Sequence, residues 1–162
     1  MMILKREDHL MTATLNKDFS DFCAQRDAQN TIQLNVVKWC WMLTDALRDN
    51  YREYAIRGHQ RYVGTPEDSH GYHLRSIEEL KSGKLPIDYV IESGRKYHKI
   101  IFVDAGASRS VHCFVDKKTG EIFKPASFKA PAKGVRFDLR LITDREWVLQ
   151  NADWSGGYLY KK

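Results

Sequence analysis

The chain has no run of apolar residues near the roughly 18 that a membrane-spanning helix needs, so no such helix is expected. Cysteine is scarce: Cys23, Cys40 and Cys113 are an odd set with no Cys-x-x-Cys pair, which argues against a disulfide framework or a structural zinc site. Each lies in an apolar or amphipathic segment and reads as a buried free thiol of a reducing compartment. A glycine-rich phosphate loop, a dinucleotide fingerprint and a Gly-x-Ser-x-Gly elbow are all missing. No cofactor and no metal is therefore expected. The opening Met1-Met2-Ile3-Leu4 is too short for the apolar core of a signal peptide and runs into acidic residues, so a cytoplasmic setting is expected.

What is present suits one domain, residues 1–162, with 43% hydrophobic and 29% charged residues. A chain of this length buries about two thirds of its unfolded surface and needs no staple. The expected fold class is α+β. Over residues 31–57, Ile32, Val36, Trp39, Cys40, Leu43, Leu47, Tyr51 and Tyr54 recur at helical spacing, with Asn30 or Thr31 as N-cap and Gly58 at the end. A shorter helix over 17–28, on Leu15, Phe19, Phe22 and Cys23, would pack against it as a helical hairpin. Residues 58–75, with His59, His70 and His73, read as an irregular connection, and Ser76-Ile77-Glu78-Glu79 as the capping box of a short helix ending at Gly83.

Beyond Pro86 the period changes to that of strands. Residues 88–92, 95–104, 110–116 and 121–127 predict an antiparallel meander with turns at Ser93-Gly94 and Lys117-Lys118-Thr119-Gly120. A basic loop covers 129–136, Thr143-Asp144-Arg145-Glu146 opens a C-terminal helix, and the tail from Trp154, with Gly156-Gly157, could add an edge strand. The long helix is expected to cover one face of the meander.

Charge is unevenly placed. The net charge is +5, yet residues 95–140 alone hold eleven Lys or Arg against four acids. Aromatic residues interleave with these cations: Tyr97, Phe102, Phe114, Phe123, Phe128 and Phe137. Cations for phosphates and ring faces for bases are what single-stranded nucleic acid binding uses. The leading expectation is a non-enzymatic nucleic-acid-binding protein using Lys99, Arg109, Lys117, Lys118, Lys124, Lys129, Lys133 and Arg136 for phosphates and Phe128 for stacking. The alternative is an interaction or structural protein that binds a protein partner or itself, with Trp39, Trp41 and Tyr51 of the long helix partly facing that partner.

A third reading is a hydrolase. If strands 95–104 and 110–116 pair so that His98 faces Asp116 and His112 faces Phe102, the four side chains share one face, and a His–Asp pair there suits acid–base work. His112 and Cys113, adjacent on a strand, would point to opposite faces and could not act together. The small-residue loop Asp104-Ala-Gly106-Ala-Ser108-Arg109-Ser110 reads as a hairpin connection.

The segments Phe114-Val-Asp-Lys-Lys-Thr-Gly120, Lys124-Pro-Ala-Ser127 and Lys129-Ala-Pro-Ala-Lys-Gly-Val-Arg136 resemble small uncharacterised proteins of tailed bacteriophages. The resemblance covers about the last third of the chain and carries no known activity. It implies a viral protein expressed in a bacterial cytoplasm, where basic proteins of this size handle nucleic acid or bind host proteins.

Overall fold

A computed structural model describes residues 6–106 and 108–160, with side chains from residue 19 onward. The fold is α+β: helix α1 (Arg6–Gln60), helix α2 (Tyr72–Lys81), strands β1 (Ile87–Ser93), β2 (Tyr97–Asp104), β3 (Arg109–Asp116), β4 (Glu121–Phe123) and β5 (Phe137–Asp138), then helix α3 (Ile142–Asn151). The five strands form one antiparallel sheet in chain order. Among the described residues no helix is long and apolar enough to cross a membrane.

The helical hairpin expected at the N-terminus is instead one continuous helix of 55 residues, about 80 Å long at 1.5 Å per residue. Residues 28–31, Ala-Gln-Asn-Thr, contain no glycine or proline to stop it. Thr31 does not cap: its Oγ1 donates to the Asp27 carbonyl at 3.0 Å, a back-bond that a helix interior accommodates. The expected apolar stripe does face the sheet. Val36, Cys40, Leu43 and Leu47 are fully buried, and Ile32, Trp39 and Tyr51 pack beside them. Trp41 points away and is exposed.

The inner face of the sheet meets this stripe with Ile87, Tyr89, Ile100, Cys113, Val115 and Ile122, and Phe137, Leu139, Val148, Tyr158 and Leu159 close the core. Arg48 ties helix to sheet edge, donating to Asp88 Oδ1 at 2.8 Å and to the Tyr89 carbonyl at 2.7 Å. Arg52 reaches the Leu80 carbonyl of α2 at 3.1 Å, and Asn50 accepts from the Trp154 amide at 2.9 Å. Cys40 and Cys113 are buried free thiols, while Cys23 is only half-buried. Burial pushes the Cys40 thiol up to about 12, which keeps it protonated and unreactive.

The β3–β4 turn falls where the sequence puts it. Asp116 Oδ1 accepts from the amides of Lys118 and Thr119, at 2.8 and 3.1 Å, and Gly120 adopts φ 73°. A Cβ at Gly120 would stand 3.4 Å from a methyl of Val36, so glycine serves both the turn and the close approach of the helix.

Other expectations shift. Strand β4 ends at Phe123 rather than 127, because Lys124-Pro125 turns the chain into an arch held by a Pro125–Pro131 bridge, and proline cannot extend a ladder. The arch returns as β5, a strand of two residues too short to stand out as a period. Neither proposed capping box forms. Helix α2 starts a turn early, at Tyr72, with Ser76 Oγ donating to the Tyr72 carbonyl, and the Asp144 carboxylate accepts the Asp138 amide at 2.9 Å. The tail is not an edge strand but a 3-10 turn, Gly157–Tyr160.

Candidate nucleic-acid interface

Alternation along β2 places Tyr97 and Lys99 on the sheet face away from α1, and Lys99 pairs with Phe114 of β3, which pairs with Phe123 of β4. Tyr97 meets Phe114 and Phe123 edge-on, with ring centroids 5.7 and 5.9 Å apart. Phe114 is buried beneath this layer, so it is packing and not a stacking platform. Phe102 and Phe137 belong to the inner core. Of the six interleaved aromatic residues only Phe128, on the arch, is exposed, at 42%.

Phe128 is flanked by cations. Lys99 Nζ lies 4.7 Å from its ring centroid and the Arg109 guanidinium 6.0 Å. Lys99 also stands over Phe114 at 5.8 Å, and Lys96 over Tyr97 at 5.3 Å. A stripe of alternating cations and rings therefore follows β2 over roughly 25 Å, the length of an eight-residue strand. Arg109 crosses from β3 to pair with Glu92 of β1 at 2.8 Å, both about half exposed; such a contact contributes about 1 kcal/mol or less, so a phosphate can compete for the guanidinium.

The remaining expected residues divide. Lys129 and Lys133 are exposed on the arch, next to the stripe in sequence. Lys117 and Lys118 sit at the turn end with Arg95 and Lys96, around a hollow that also takes in Gln33 and Asp116. Lys124 is separate: its Nζ lies 4.3 Å over the ring of Tyr160. Arg136 is half-buried, and its Nε is enclosed with no hydrogen-bond partner among the described residues, so it serves the arch more than a solvent-facing surface.

The hydrolase geometry does not form. The hairpin closes two residues out of the expected register, with Phe102 facing Ser110, and a bulge between Ile100 and Ile101 takes up only one of them, so Asp116 faces Tyr97 and His98 faces Val115. A slip of one residue moves a side chain to the other face. Asp116 is occupied in its turn, and His98 Nδ1 sits 2.7 Å from Ser93 Oγ, with burial and then Lys117 lowering its pKa. His112 is the extra residue of the bulge, and its ring meets those of Tyr89 and Tyr158 in the same inner core that holds Cys113, against the expectation that the two face opposite ways. Of the histidines expected in the 58–75 connection, His70 does lie between the helices, whereas His59 ends α1 and His73 starts α2, their Nδ1 atoms 2.8 Å apart. Among the described residues no three His, Cys, Asp or Glu side chains gather as a metal site.

β4 pairs β3 only at Phe114 and Val115, so among the described residues nothing pairs with β3 on that side from 109 to 113. The gap is a cleft of about 360 Å³ lined by Phe102, Ser110, His112, Trp154, Ser155 and Tyr160, among others. Its signal was Asp153-Trp-Ser-Gly-Gly, a turn composition rather than a strand. Asp153 accepts from Ser155 Oγ and from the amides of Gly157 and Tyr158, at 3.2 and 3.1 Å. Burial works to raise its pKa, and these hydrogen bonds more than offset that, leaving the carboxyl below its ordinary value.

His112 Nε2 lies 2.8 Å from the Tyr158 hydroxyl. Burial pushes the imidazole down to about 4, with the Asp153 carboxylate pulling the other way, so the ring is neutral at pH 7. Burial likewise holds the Tyr158 phenol protonated, and that proton has His112 Nε2 as its acceptor. Leaving a buried hydroxyl proton unpaired costs about 1–3 kcal/mol, which selects the tautomer with the ring proton on Nδ1.

Neither the curated proteins nor the solved structures contain a match to the chain. Residues 19–161 do match a family of unknown function (DUF7717), which spans the end of α1 that meets the sheet and the whole sheet, and the chain belongs to that family.

Proposed function

We propose that this protein binds single-stranded nucleic acid along the outer face of its sheet, with phosphates meeting Lys96, Lys99, Arg109, Lys129 and Lys133 and a base stacking on Phe128. The observation that carries this reading is the alternation of cations and rings along β2, which ends on the one exposed ring of the interleaved set. A base needs an accessible π-face beside positive charge, and Phe128 offers it. Lys117 and Lys118 extend the positive surface at the turn end. The resemblance of the 114–136 region to tailed-bacteriophage proteins would set this activity in an infected bacterial cell, and that setting is part of the proposal.

The test is fluorescence anisotropy with labelled single- and double-stranded DNA and RNA at two salt concentrations. For single strands each phosphate contact contributes about −0.7 to the slope of log affinity against log salt. Replacing Lys99, Lys129 and Lys133 together by Ala should flatten the slope by about 2. Phe128→Ala should weaken binding by about 1–3 kcal/mol and leave the slope unchanged. Absence of saturable binding to all four probes would discard the reading.

A second reading rests on a different observation. Residues 24–31 of α1 are all exposed, and Phe19 and Phe22 are 68% and 56% exposed beyond the end of the sheet. A helix without a packed face is marginal in water, so this arm suits association with a second copy or a protein partner. Light scattering across a concentration series should show mass rising above one chain, and Phe19→Ser with Phe22→Ser should return it to the monomer. A constant monomer mass removes self-association.

A further inference from the structure

The cleft beside β3 combines a fixed donor, flat walls and a cation at its rim. The donor is His112 Nδ1, which has no hydrogen-bond partner among the described residues and lies on the side of the ring toward Gly156, where a Cβ would stand 3.9 Å away. It is neutral, so it suits a carbonyl oxygen and does not demand an anion. Phe102, Trp154 and Tyr160 supply ring surface, and Ser110 and Ser155 bring hydroxyls. The unpaired edge of β3 adds main-chain donors and acceptors at the same wall. Lys124 stands at the Tyr160 end, 4.3 Å over that ring, where a phosphate would be held outside the apolar part. A volume of about 360 Å³ is at the small end of ligand sites.

We propose that this cleft receives one unstacked nucleobase bearing a ring carbonyl, read by His112 Nδ1–H and the β3 edge, with the attached phosphate on Lys124. The inference deepens the nucleic-acid reading: it names the part of the ligand that gives base preference, and the outer stripe supplies the phosphate contacts. The base comes either from a free nucleotide or from a bound strand, and the recognition chemistry is the same. Adenine has no carbonyl oxygen: its ring nitrogens can accept the proton only by bringing the ring edge itself against the imidazole, whereas a carbonyl oxygen projects beyond the ring and reaches Nδ1–H without that crowding, so adenine is disfavoured. Uracil, cytosine and guanine each place a carbonyl oxygen beside ring nitrogens that can meet a strand edge.

The test has two arms on the full chain. In the first, uridine, cytidine, guanosine and adenosine monophosphates are titrated and followed by calorimetry, expecting adenosine monophosphate to bind at least about tenfold more weakly than the best of the others. In the second, labelled oligo(U) and oligo(A) are compared by anisotropy. Ser110 is exposed, so Ser110→Trp fills the cleft without opening the core; it should abolish mononucleotide binding and the U-over-A preference while leaving the salt slope of oligonucleotide binding in place. Lys124→Ala should weaken the mononucleotides and leave the base preference unchanged.

Mononucleotide binding that survives Ser110→Trp, or oligonucleotide binding with no base preference in a protein that binds no mononucleotide, overturns the cleft inference and leaves the outer stripe standing. Mononucleotide binding lost in Ser110→Trp, in a protein that binds no oligonucleotide, upholds the cleft and overturns the stripe. No binding in either arm overturns both.

Discussion

Lowering the pH from 7 to 4 is expected to cost this protein about 3 kcal/mol of stability through His112 alone, as each unit of pKa shift is about 1.4 kcal/mol. The imidazole titrates near 6.5 when unfolded and at about 4 in the fold, because burial penalises its charged form. Between those values the unfolded chain binds a proton that the native state refuses, so stability falls as pH falls. The contribution is fully present above about pH 6.5 and exhausted below about 4. His98 is shifted in the same direction by burial and by Lys117, and adds to the loss. Asp153 acts lower: its carboxyl is held below the ordinary value, so its contribution is present above the unfolded pKa and lost only as the pH drops through the folded one. Urea denaturation at pH 7, 6, 5 and 4, with an NMR titration of the His112 ring, checks this. A flat stability profile, or a ring titrating near 6.5, would mean that His112 is open to water.

Replacing Leu43 by Ala should destabilise the fold by about 3–4 kcal/mol, within the range for a buried leucine in a packed core. Leu43 is fully buried at the centre of the α1 stripe, where Cys40 and Leu47 also meet the inner face of the sheet. Two rigid elements converge there, so the cavity cannot collapse and the lost contacts are not recovered. Trp41, two residues away and exposed, is the control: Trp41→Ala should change stability by no more than about 0.5 kcal/mol. The denaturation midpoint reports both, with an unchanged m-value as the sign that only stability has moved. A loss under about 1 kcal/mol for Leu43→Ala would mean that helix and sheet are less tightly joined than their burial implies.

The outer stripe was partly readable. Lys99 and Phe128 are five and three residues from the nearest glycine or proline, and the excess of cations over 95–140 is plain in the chain. Their meeting was not readable, because Phe128 reaches Lys99 and Arg109 only through the arch that Pro125 and Pro131 close. Arg136 looked equivalent to Lys129 and Lys133 by charge; its side chain turns partly inward, a difference set by packing. The His98–Asp116 pair failed on register: the chain turns back so that Phe102 faces Ser110, two residues short of His112, and the bulge at His112 recovers only one of those two, leaving His98 opposite Val115.

By itself the sequence determined what depends on neighbours within a turn or a strand. The helical spacing from Ile32 to Tyr51 set the face of α1 that meets the sheet. Alternation after Pro86 set the strands, and Asp116 with Gly120 set the turn between β3 and β4. Tertiary structure decided what depends on partners distant in the chain. It carried α1 through residues 28–31, inserted His112 into the core against Tyr158, 46 residues on, and parted β4 from β3 to leave the cleft. Local pattern encodes periodicity and backbone preference, whereas register, bulges and burial of a polar ring are settled by which surfaces pack together.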